Sequence, residues 1–409
     1  MDRLTRMRII YLHQYFNTPE SSGSTRSFEV GRRLVAAGHR VDIVTSWREP
    51  TTRKGWFTTD ESGMRVHWLP VRYSNRMSYI ARMGAFFKFA VCAAMRARRI
   101  DGDVVLATST PLTIAIPAVY AARRRGIPMV FEVRDLWPDL PIAIGALKNP
   151  ILRGAARSLE RFSYSNSAAV IALSPGMAEG IVRAGYPRER VVIVPNGSDL
   201  ELFRRDTSRG LAFRRRMGID DGKILVGYLG TLGRINGVSY LVRIAAALKG
   251  DARFVFLVMG DGQEHEQIAA LAHAEHVLDR NFLMHQKIAK SQVPAVLSAV
   301  DIATSLFLPI PEMESNSANK FFDALAAGCC VGINYGGWHA QLLQGAAAGI
   351  RLDSDTRRAA AQLQALADEP GRIKSAGLNA RLLAEESFSR DVLAAKVQAV
   401  LTGAVGGSR

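Results

Sequence analysis

Short runs of aliphatic residues alternate with longer stretches of helical periodicity along the whole 409-residue chain, and this alternation restricts the fold more than any other feature. Continuous apolar strands separated by helices are typical of parallel sheets whose two faces are both covered. The sequence therefore predicts two doubly wound α/β domains. The predicted strands are 8–12, 41–45, 64–69, 103–107, 128–132, 169–173 and 191–195, followed by 224–229, 253–259, 281–284, 301–304 and 330–333.

The boundary between the two predicted domains lies in a polar stretch. Residues 201–222 carry Asp, Gly and many charges without an apolar run, which is typical of a linker. We expect a first domain over 1–200 and a second over 223–386. Residues 387–409 are expected to form a C-terminal helix that returns to the first domain, followed by a tail.

The net charge of +16 is unevenly distributed, because residues 1–200 hold 29 of the 53 Lys and Arg residues but 16 of the 37 Asp and Glu residues. This asymmetry indicates that the first half binds something anionic, and nucleic acid, anionic lipid and a phosphorylated substrate all fit. The arginines form no recognised nucleic-acid-reading motif, so no nucleic-acid partner is expected.

Other classes of protein are excluded by features that the sequence lacks. Three cysteines without zinc spacing exclude a disulfide scaffold and a structural zinc site. No apolar run approaches the roughly 18 residues of a membrane span, and the start of the chain is interpreted as a strand, not a signal peptide. Asp101 and Asp103 have the D-x-D form of manganese sites but precede a strand, so we interpret them as a turn and expect no metal.

Two loops follow predicted strands at the edge where doubly wound sheets bind ligands. In the first, small residues around Gly23 let a ligand approach the backbone, and Arg26 adds a cation at a helix start. A solvent-exposed loop with an ordinary helix cap is the alternative. In the second, Gly230 and Gly233 precede a predicted helix without forming a G-x-G-x-x-G fingerprint, although Asp261 could hold a ribose, so a dehydrogenase is not excluded by this loop.

The segment 315–331 is the most informative part of the chain. It predicts a helix from Ser317 to Gly328 with Lys320 in the first turn, where the macrodipole disfavours a cation by a few tenths of a kcal/mol. An anion bound between the two would explain a lysine there. Asp323 shares a face with Lys320, and a surface ion pair is the alternative interpretation.

Taken in order, the motifs of this chain resemble those of the family 4 retaining glycosyltransferases of GT-B architecture, from residue 8 to about residue 400. Two further segments, Phe131–Asp139 and Asn319–Asp323, resemble bacterial transferases that build O-antigen, capsule or exopolysaccharide units, including fucosaminyl-type amino-sugar transferases. The motifs are Ser22–Arg26, Gly38–Thr45, Ser174–Met177, Val194–Asp199, Gly230–Gly233, Val258–Gly262 and Asp323–Gly328.

This resemblance implies two Rossmann-like domains facing across a cleft and a retaining, metal-independent glycosyl transfer without a cofactor. The implied donor is a nucleotide sugar, with UDP favoured, and the implied acceptor is a saccharide linked to a lipid diphosphate. A cytoplasmic protein, peripheral on the inner face of the membrane, would follow. A sugar-nucleotide epimerase of the same architecture and a non-enzymatic protein that binds anionic surfaces are the alternatives.

The chain departs from the family where the donor diphosphate is held. Where the family has an arginine and a lysine that bind the donor diphosphate, this chain has Thr231 and Asn236. Where the family has two glutamates separated by seven residues, this chain has Ser315 and Asp323. We therefore expect Lys320 and the amides near Gly230 to meet the diphosphate, and Asp323 to bind the ribose. The predicted donor-binding residues are Gly23, Arg26, Gly230, Thr231, Gly233, Arg234, Lys287, Ile288, Ser315, Asn319 and Asp323, with Lys320 predicted as catalytic.

The first domain is expected to bind the acceptor near the end of the strand 128–132. Asp135 is predicted as the catalytic residue that positions the acceptor hydroxyl, and Glu132, Arg134 and Trp137 as acceptor-binding residues.

A basic helix is predicted over 76–99, which contains no acid. Its apolar stripe is expected to pack on the sheet, whereas Phe86 and Phe89 lie off that stripe and are predicted to face an anionic membrane, together with the surrounding cations. A helix that only packs on the sheet is the alternative. The stripe is Ile80, Met83, Phe87, Val91 and Ala94, and the cations are Arg76, Arg82, Lys88, Arg96, Arg98 and Arg99.

Overall fold

The computed structural model describes residues 6–21, 23–71 and 79–407, with side chains from residue 83 onward in the helix that begins at Tyr79. The chain forms two compact units. The first runs from the amino terminus to Pro195 and includes the residues from Asp391 onward, and the second runs from Asn196 to Arg390.

The first unit is built on a sheet of eight strands in the described part of the chain, in the order β3-β4-β2-β1-β5-β6-β7-β8. Neighbouring strands are parallel except β3 and β4, which are antiparallel. The strands are β1 (Arg8–Leu12), β2 (Arg40–Trp47), β3 (Phe57–Glu61), β4 (Met64–Pro70), β5 (Val104–Thr108), β6 (Met129–Val133), β7 (Ala169–Ala172) and β8 (Val191–Ile193). The helices are α1 (Arg26–Ala36), α2 (Tyr79–Ala97), α3 (Ala115–Arg125), α4 (Asp139–Ala143), α5 (Pro150–Ser165) and α6 (Pro175–Arg183).

Strand β1 shows why its sequence is a continuous apolar run. Ile10 and Leu12 enter the core on one face of the sheet, and Ile9 and Tyr11 enter the core on the other. Because successive side chains of a strand point to opposite faces, a sheet covered on both sides needs an apolar residue at every position.

The second unit has a parallel sheet of six strands among the described residues, in the order β11-β10-β9-β12-β13-β14. The strands are β9 (Ile224–Leu229), β10 (Phe254–Met259), β11 (Phe282–His285), β12 (Ile302–Ser305), β13 (Cys330–Ile333) and β14 (Gly349–Arg351). The helices are α7 (Thr207–Arg216), α8 (Ser239–Ala247), α9 (His265–Ala274), α10 (Val293–Ala299), α11 (Asn319–Ala326), α12 (Trp338–Ala346), α13 (Thr356–Asp368) and α14 (Arg372–Ser387).

The last helix, α15 (Arg390–Gly406), packs on the first unit. Its residues Leu393, Val397 and Leu401 are buried in the core that also contains Ile9 and Tyr11. None of the helices in the described part of the chain is both long enough and apolar enough to cross a membrane.

The doubly wound α/β fold of both halves is confirmed, with corrections in detail. The segment 201–222, predicted as a linker, contains α7 and belongs to the second unit. There Gly210 lies so close to α10 that a Cβ atom would stand 2.5 Å from the carbonyl oxygen of Ser298. The prediction also missed β3 and β14, because β3 is polar at every position after Phe57 and β14 has three residues.

Candidate active site

Two glycine loops lie directly against each other at the carboxyl ends of β9 and β10. A Cβ atom at residue 260 would stand 2.0 Å from the carbonyl oxygen of Gly230, and one at residue 262 would stand 2.3 Å from that of Leu232. Neither position can accept a side chain without moving the backbone. Strand β9 is also where the strand order reverses, between β10 and β12, which is where open α/β sheets bind ligands.

Lys320 enters this loop region from the first turn of α11. Its Nζ donates to the Tyr228 hydroxyl at 2.8 Å and to Asn236 Oδ1 at 3.0 Å. It also stands 4.5 Å from the ring centre of Tyr228 and 5.8 Å from that of Phe307. A Cβ atom on Gly230 would be 3.4 Å from Nζ, so the ammonium group adjoins the loop.

The electrostatic setting of Lys320 is unusual for a lysine. Among the described residues, no carboxylate lies within 4.0 Å of its Nζ. Burial lowers the pKa of Lys320 to about 7, because the charged form loses hydration without gaining an anion. The site thus offers an amino group that is positively charged when protonated and has no counter-ion among the described residues.

Asp323 lies one turn further along α11 and does not pair with Lys320, so the surface ion pair does not form. Its Oδ1 accepts a hydrogen bond from the Ser198 hydroxyl at 2.8 Å, and its Oδ2 is 4.0 Å from Lys290 Nζ. The Asp323 side chain is 12% exposed. Lys290 is a charged neighbour that the sequence analysis did not single out.

The other residues predicted to bind the donor from this unit occupy the loop edge. Thr231 and Arg234 expose their side chains. The Lys287 side chain is 65% exposed, and its Nζ is 4.0 Å from Asp261 Oδ2, so it lies beside the second glycine loop. Gly233, Ile288, Ser315 and Asn319 are half-buried.

Tyr228 and Asn236 are the site residues that the sequence analysis missed. Asn236 is the position where the family has a lysine, and here its amide oxygen holds Lys320 instead. The available signal was a tyrosine within the apolar strand directly before the glycine loop, because a buried hydroxyl needs a polar partner. Its hydroxyl donates to the carbonyl oxygen of Thr231 at 2.8 Å.

In the first unit, Arg26 and Glu132 form a buried ion pair. Arg26 is 6% exposed and Glu132 is 1% exposed, and Nη2 lies 2.8 Å from Oε1. Arg26 also donates to the carbonyl oxygens of Val194 and Pro195, and Thr108 donates to Glu132 Oε2 at 2.6 Å. Burial alone would raise the pKa of Glu132, but the charges of Arg26 and Arg134 outweigh it and hold the pKa below its ordinary value.

This pair bears on two predictions. Arg26 was expected to bind the donor and Glu132 the acceptor, yet each satisfies the other inside the first unit. Because a buried charge needs a partner, both residues have a structural role here.

Arg134 and Asp135 follow β6 and are half-buried. The Arg134 side chain donates to the Ser24 hydroxyl at 2.7 Å, while Asp135 Oδ2 accepts from the Thr110 hydroxyl at 2.9 Å. Burial raises the pKa of Asp135. Trp137 is partly buried against the core of the same unit. Gly23 is required locally, since its φ is +126° and a Cβ atom would stand 2.6 Å from Asn17 Nδ2.

His13 and Gln14 lie beyond the end of β1 and were not predicted as functional residues. Both are buried, and Arg134 Nη1 lies 3.4 Å from His13 Nε2. Within the described residues, His13 Nδ1 and both polar atoms of the Gln14 side chain have no hydrogen-bond partner. Burial and the nearby arginine charges hold the pKa of His13 well below its ordinary value, so the ring is neutral.

The D-x-D pair is a turn at the opposite edge of the sheet. Asp103 accepts from the backbone amide of Arg8 at 2.8 Å, and Asp101 pairs with Arg125 at 3.1 Å. No group of three or more His, Cys, Asp and Glu in the described residues is arranged to hold a metal ion.

Comparison with known proteins agrees with this geometry. Residues 23–197 match the glycosyl transferase 4-like domain family. A protein of Escherichia coli described as a colanic acid biosynthesis glycosyl transferase, WcaI, is 23% identical over 299 residues, which cover 69% of this chain and 73% of the relative. The sucrose-phosphate synthase of Thermosynechococcus elongatus has a TM-score of 0.79 at 15% identity, covering 98% of this chain and all of the other.

The chain is a GT-B glycosyltransferase with a family 4-like first domain. The HepE protein of Anabaena, in complex with UDP-glucose, has a TM-score of 0.72 at 14% identity and covers 97% of this glycosyltransferase. At 14% sequence identity, this similarity shows a shared fold and nothing further.

The α2 helix of the glycosyltransferase faces the core differently from the prediction. Phe89 is fully buried, together with small residues on the same face, whereas Phe87, Val91 and Met95 are 52%, 64% and 43% exposed. The predicted core stripe was wrong for Phe87 and Val91, and the predicted membrane role was wrong for Phe89. Arg76 lies outside the described residues, as do the side chains of Ile80 and Arg82.

Proposed function

We propose that this glycosyltransferase moves a sugar from a nucleotide-sugar donor to a saccharide acceptor in bacterial surface polysaccharide biosynthesis. The observation that carries the proposal is the amino group of Lys320 beside the Gly230 loop, without a counter-ion among the residues that the structure describes. The similarity to the colanic acid transferase supports the polysaccharide context. The likeness to the HepE complex with UDP-glucose supports UDP as the carrier.

In the proposed reaction, Lys320 meets charge that develops on the leaving diphosphate. The bond between the anomeric carbon and the β-phosphate oxygen breaks, and a bond from the acceptor oxygen forms on the same face of the sugar. The acceptor proton passes to the leaving phosphate oxygen, so no metal and no covalent sugar-enzyme intermediate take part. A preorganised cation and loop amides stabilise such a transition state in a water-poor site.

The remaining donor contacts are assigned to the edge of the second unit. We assign the ribose hydroxyls to Asp323, because a carboxylate forms charge-assisted hydrogen bonds with them. Arg234 is the second candidate for the diphosphate, and Lys287 with Ile288 is the candidate for the nucleobase. Ser315 and Asn319 flank the same sugar-diphosphate region.

The acceptor is assigned to the first unit, around Asp135, Arg134 and Trp137. Asp135 is held by Thr110 and has a raised pKa, which suits a residue that positions a hydroxyl group. We propose a saccharide linked to a lipid diphosphate as the acceptor. Glu132 is not part of this assignment, because its carboxylate is paired with Arg26.

A binding panel followed by a transfer assay tests this function. Thermal shifts with UDP, GDP, dTDP and CMP identify the base, because a ligand at about 100 times its Kd stabilises by roughly 2.7 kcal/mol. Radiolabelled nucleotide sugar is then incubated with a lipid diphosphate acceptor. Label in the lipid supports the transferase, a free epimer supports the epimerase, and neither product supports a binding protein.

We also propose that the enzyme works at the inner face of the cytoplasmic membrane and docks there through α2. Phe87, Val91 and Met95 recur every four residues as an exposed apolar stripe, and Lys88 and Arg99 are exposed beside it. Basic residues near anionic lipid contribute about 1 kcal/mol each. Arg96 is engaged within the unit, because it contacts His67 and the ring of Trp56.

Vesicle co-sedimentation tests the docking surface. Replacing Phe87, Val91 and Met95 with Ser is expected to reduce binding to anionic vesicles, and salt should weaken the binding of the wild type. The matched control replaces the exposed Leu378 and Leu382 of α14 with Ser and should bind normally. Equal binding to neutral vesicles, or normal binding by the α2 variant, would contradict the proposal.

A further inference from the structure

Every hydrogen bond from Lys320 in the described protein goes to a neutral acceptor. Nζ donates to a tyrosine hydroxyl and to an amide oxygen, and it lies over the faces of Tyr228 and Phe307. Hydroxyl and amide oxygens accept hydrogen bonds from a neutral amine as well as from an ammonium ion, if the amine retains a hydrogen for each. This environment tolerates both protonation states, unlike a salt bridge.

The charged and titratable groups on the surrounding elements do not supply a negative charge next to the amino group of Lys320. They include Tyr228 on β9 and Arg234 in the loop after it, Glu312 and Glu314 before α11, and Asp323 on α11 itself. Asp261 lies in the second glycine loop, and Tyr335 packs on the ring of Phe307. Tyr228 stays protonated, because burial raises its pKa. Asp323 is directed to Ser198 and Lys290, and none of the described carboxylates lies within 4.0 Å of Lys320 Nζ.

We propose that Lys320 takes up a proton when the donor diphosphate binds, so that donor binding is coupled to proton uptake at this one side chain. The proposal rests on the function proposed above, which places the diphosphate beside Nζ. In the empty site the amine loses hydration without gaining an anion, and burial alone accounts for a pKa of about 7. A diphosphate beside Nζ supplies the missing negative charge and favours the ammonium form.

The size of the effect follows from linkage. An opposite charge within about 4–6 Å raises the proton affinity of a base by about 10- to 1000-fold, and a middle value of about 100-fold is used for the bound lysine. At about pH 8 the empty site would be about one-tenth protonated and the occupied site about nine-tenths protonated, an uptake of about 0.8 proton per site. Because the empty form is deprotonated as pH rises, the Kd should increase about sixfold between about pH 7.5 and pH 8.5.

Isothermal titration with UDP measures this uptake directly. Binding enthalpies at about pH 8 in phosphate and in Tris buffer differ by the proton number times the difference in buffer ionisation enthalpy. The terminal phosphate of UDP is fully ionised there, so its own titration contributes little. The control is Lys320→Arg, because a guanidinium group is charged in both the empty and the occupied site.

An uptake of about 0.8 proton in the wild type and close to none in Lys320→Arg supports the proposal. Tight UDP binding without proton uptake would overturn it, as would equal uptake by both proteins. The pH dependence of the wild-type Kd provides the same test without a variant, and a Kd that does not rise above pH 7.5 would overturn the proposal. If Lys320→Met bound UDP as tightly as the wild type, the placement of the diphosphate itself would be wrong, and the proposed function would fail at that point.

Discussion

Replacing Arg26 with Met should destabilise the first unit severely, because it leaves Glu132 charged and buried. The two side chains are 6% and 2% exposed, and Arg26 also holds the carbonyl oxygens of Val194 and Pro195. Removing one partner of a buried ion pair costs about 3–5 kcal/mol. For a domain of this size each kcal/mol lowers Tm by about 2–4 °C, so the expected decrease is about 6–20 °C.

Differential scanning calorimetry checks this, with Arg32→Ala as the matched control. Arg32 lies on the same helix and pairs with Glu29 at 2.7 Å, but its side chain is 35% exposed, and such helix pairs contribute about 0.2–0.5 kcal/mol. The double variant Arg26→Met, Glu132→Leu should recover much of the loss, since it removes both charges. A normal Tm for Arg26→Met together with weaker donor binding would refute the structural role and restore Arg26 as a ligand.

Three further predictions concern the donor site, pH and metal. Asp323→Asn should raise the donor KM more than it lowers kcat, since a ribose contact contributes binding, not chemistry, and steady-state kinetics with varied donor would show the split. Because the pKa of Glu132 is lowered in the folded protein, its stabilisation is complete above about pH 5 and is lost as the pH falls through the folded-state pKa. Urea unfolding at about pH 5 and pH 3 should therefore show a smaller loss for Glu132→Gln than for the wild type. Glycosyl transfer should persist in EDTA, and activity that returns only with added divalent cation would contradict the metal-independent mechanism.

The sequence predicts the strands of the sheets well, because a strand buried on both faces is a continuous apolar run that can be identified from its own residues alone. Of the elements missed, β3 is an edge strand whose residues alternate between half-buried and exposed. The α2 helix shows a different limit. It carries apolar residues on more than one face, and periodicity cannot tell which face packs on α3 and which stays exposed.

The site is predicted less completely, because its decisive contacts join distant parts of the chain. Lys320 was identified from the macrodipole argument, as a replacement for the family's diphosphate-binding residues, whose positions are occupied here by Thr231 and Asn236. Its partners Tyr228 and Asn236 are 92 and 84 residues away, however, so their positions follow from the fold. The same holds for Arg26 and Glu132, which are 106 residues apart. A cation at a helix start and an acid after a strand both suggest ligand binding until their mutual contact is known.

The kinetic effect of Lys320→Ala tests the central claim most directly. With saturating donor and a lipid diphosphate acceptor, single-turnover transfer should slow by at least about tenfold, equivalent to about 1.4 kcal/mol of transition-state stabilisation. The control is Lys374→Ala, an exposed lysine on α14 of the same unit, which should transfer at the wild-type rate. An unchanged rate for Lys320→Ala at saturating donor would show that the leaving diphosphate is stabilised elsewhere, and the proposed mechanism would be wrong.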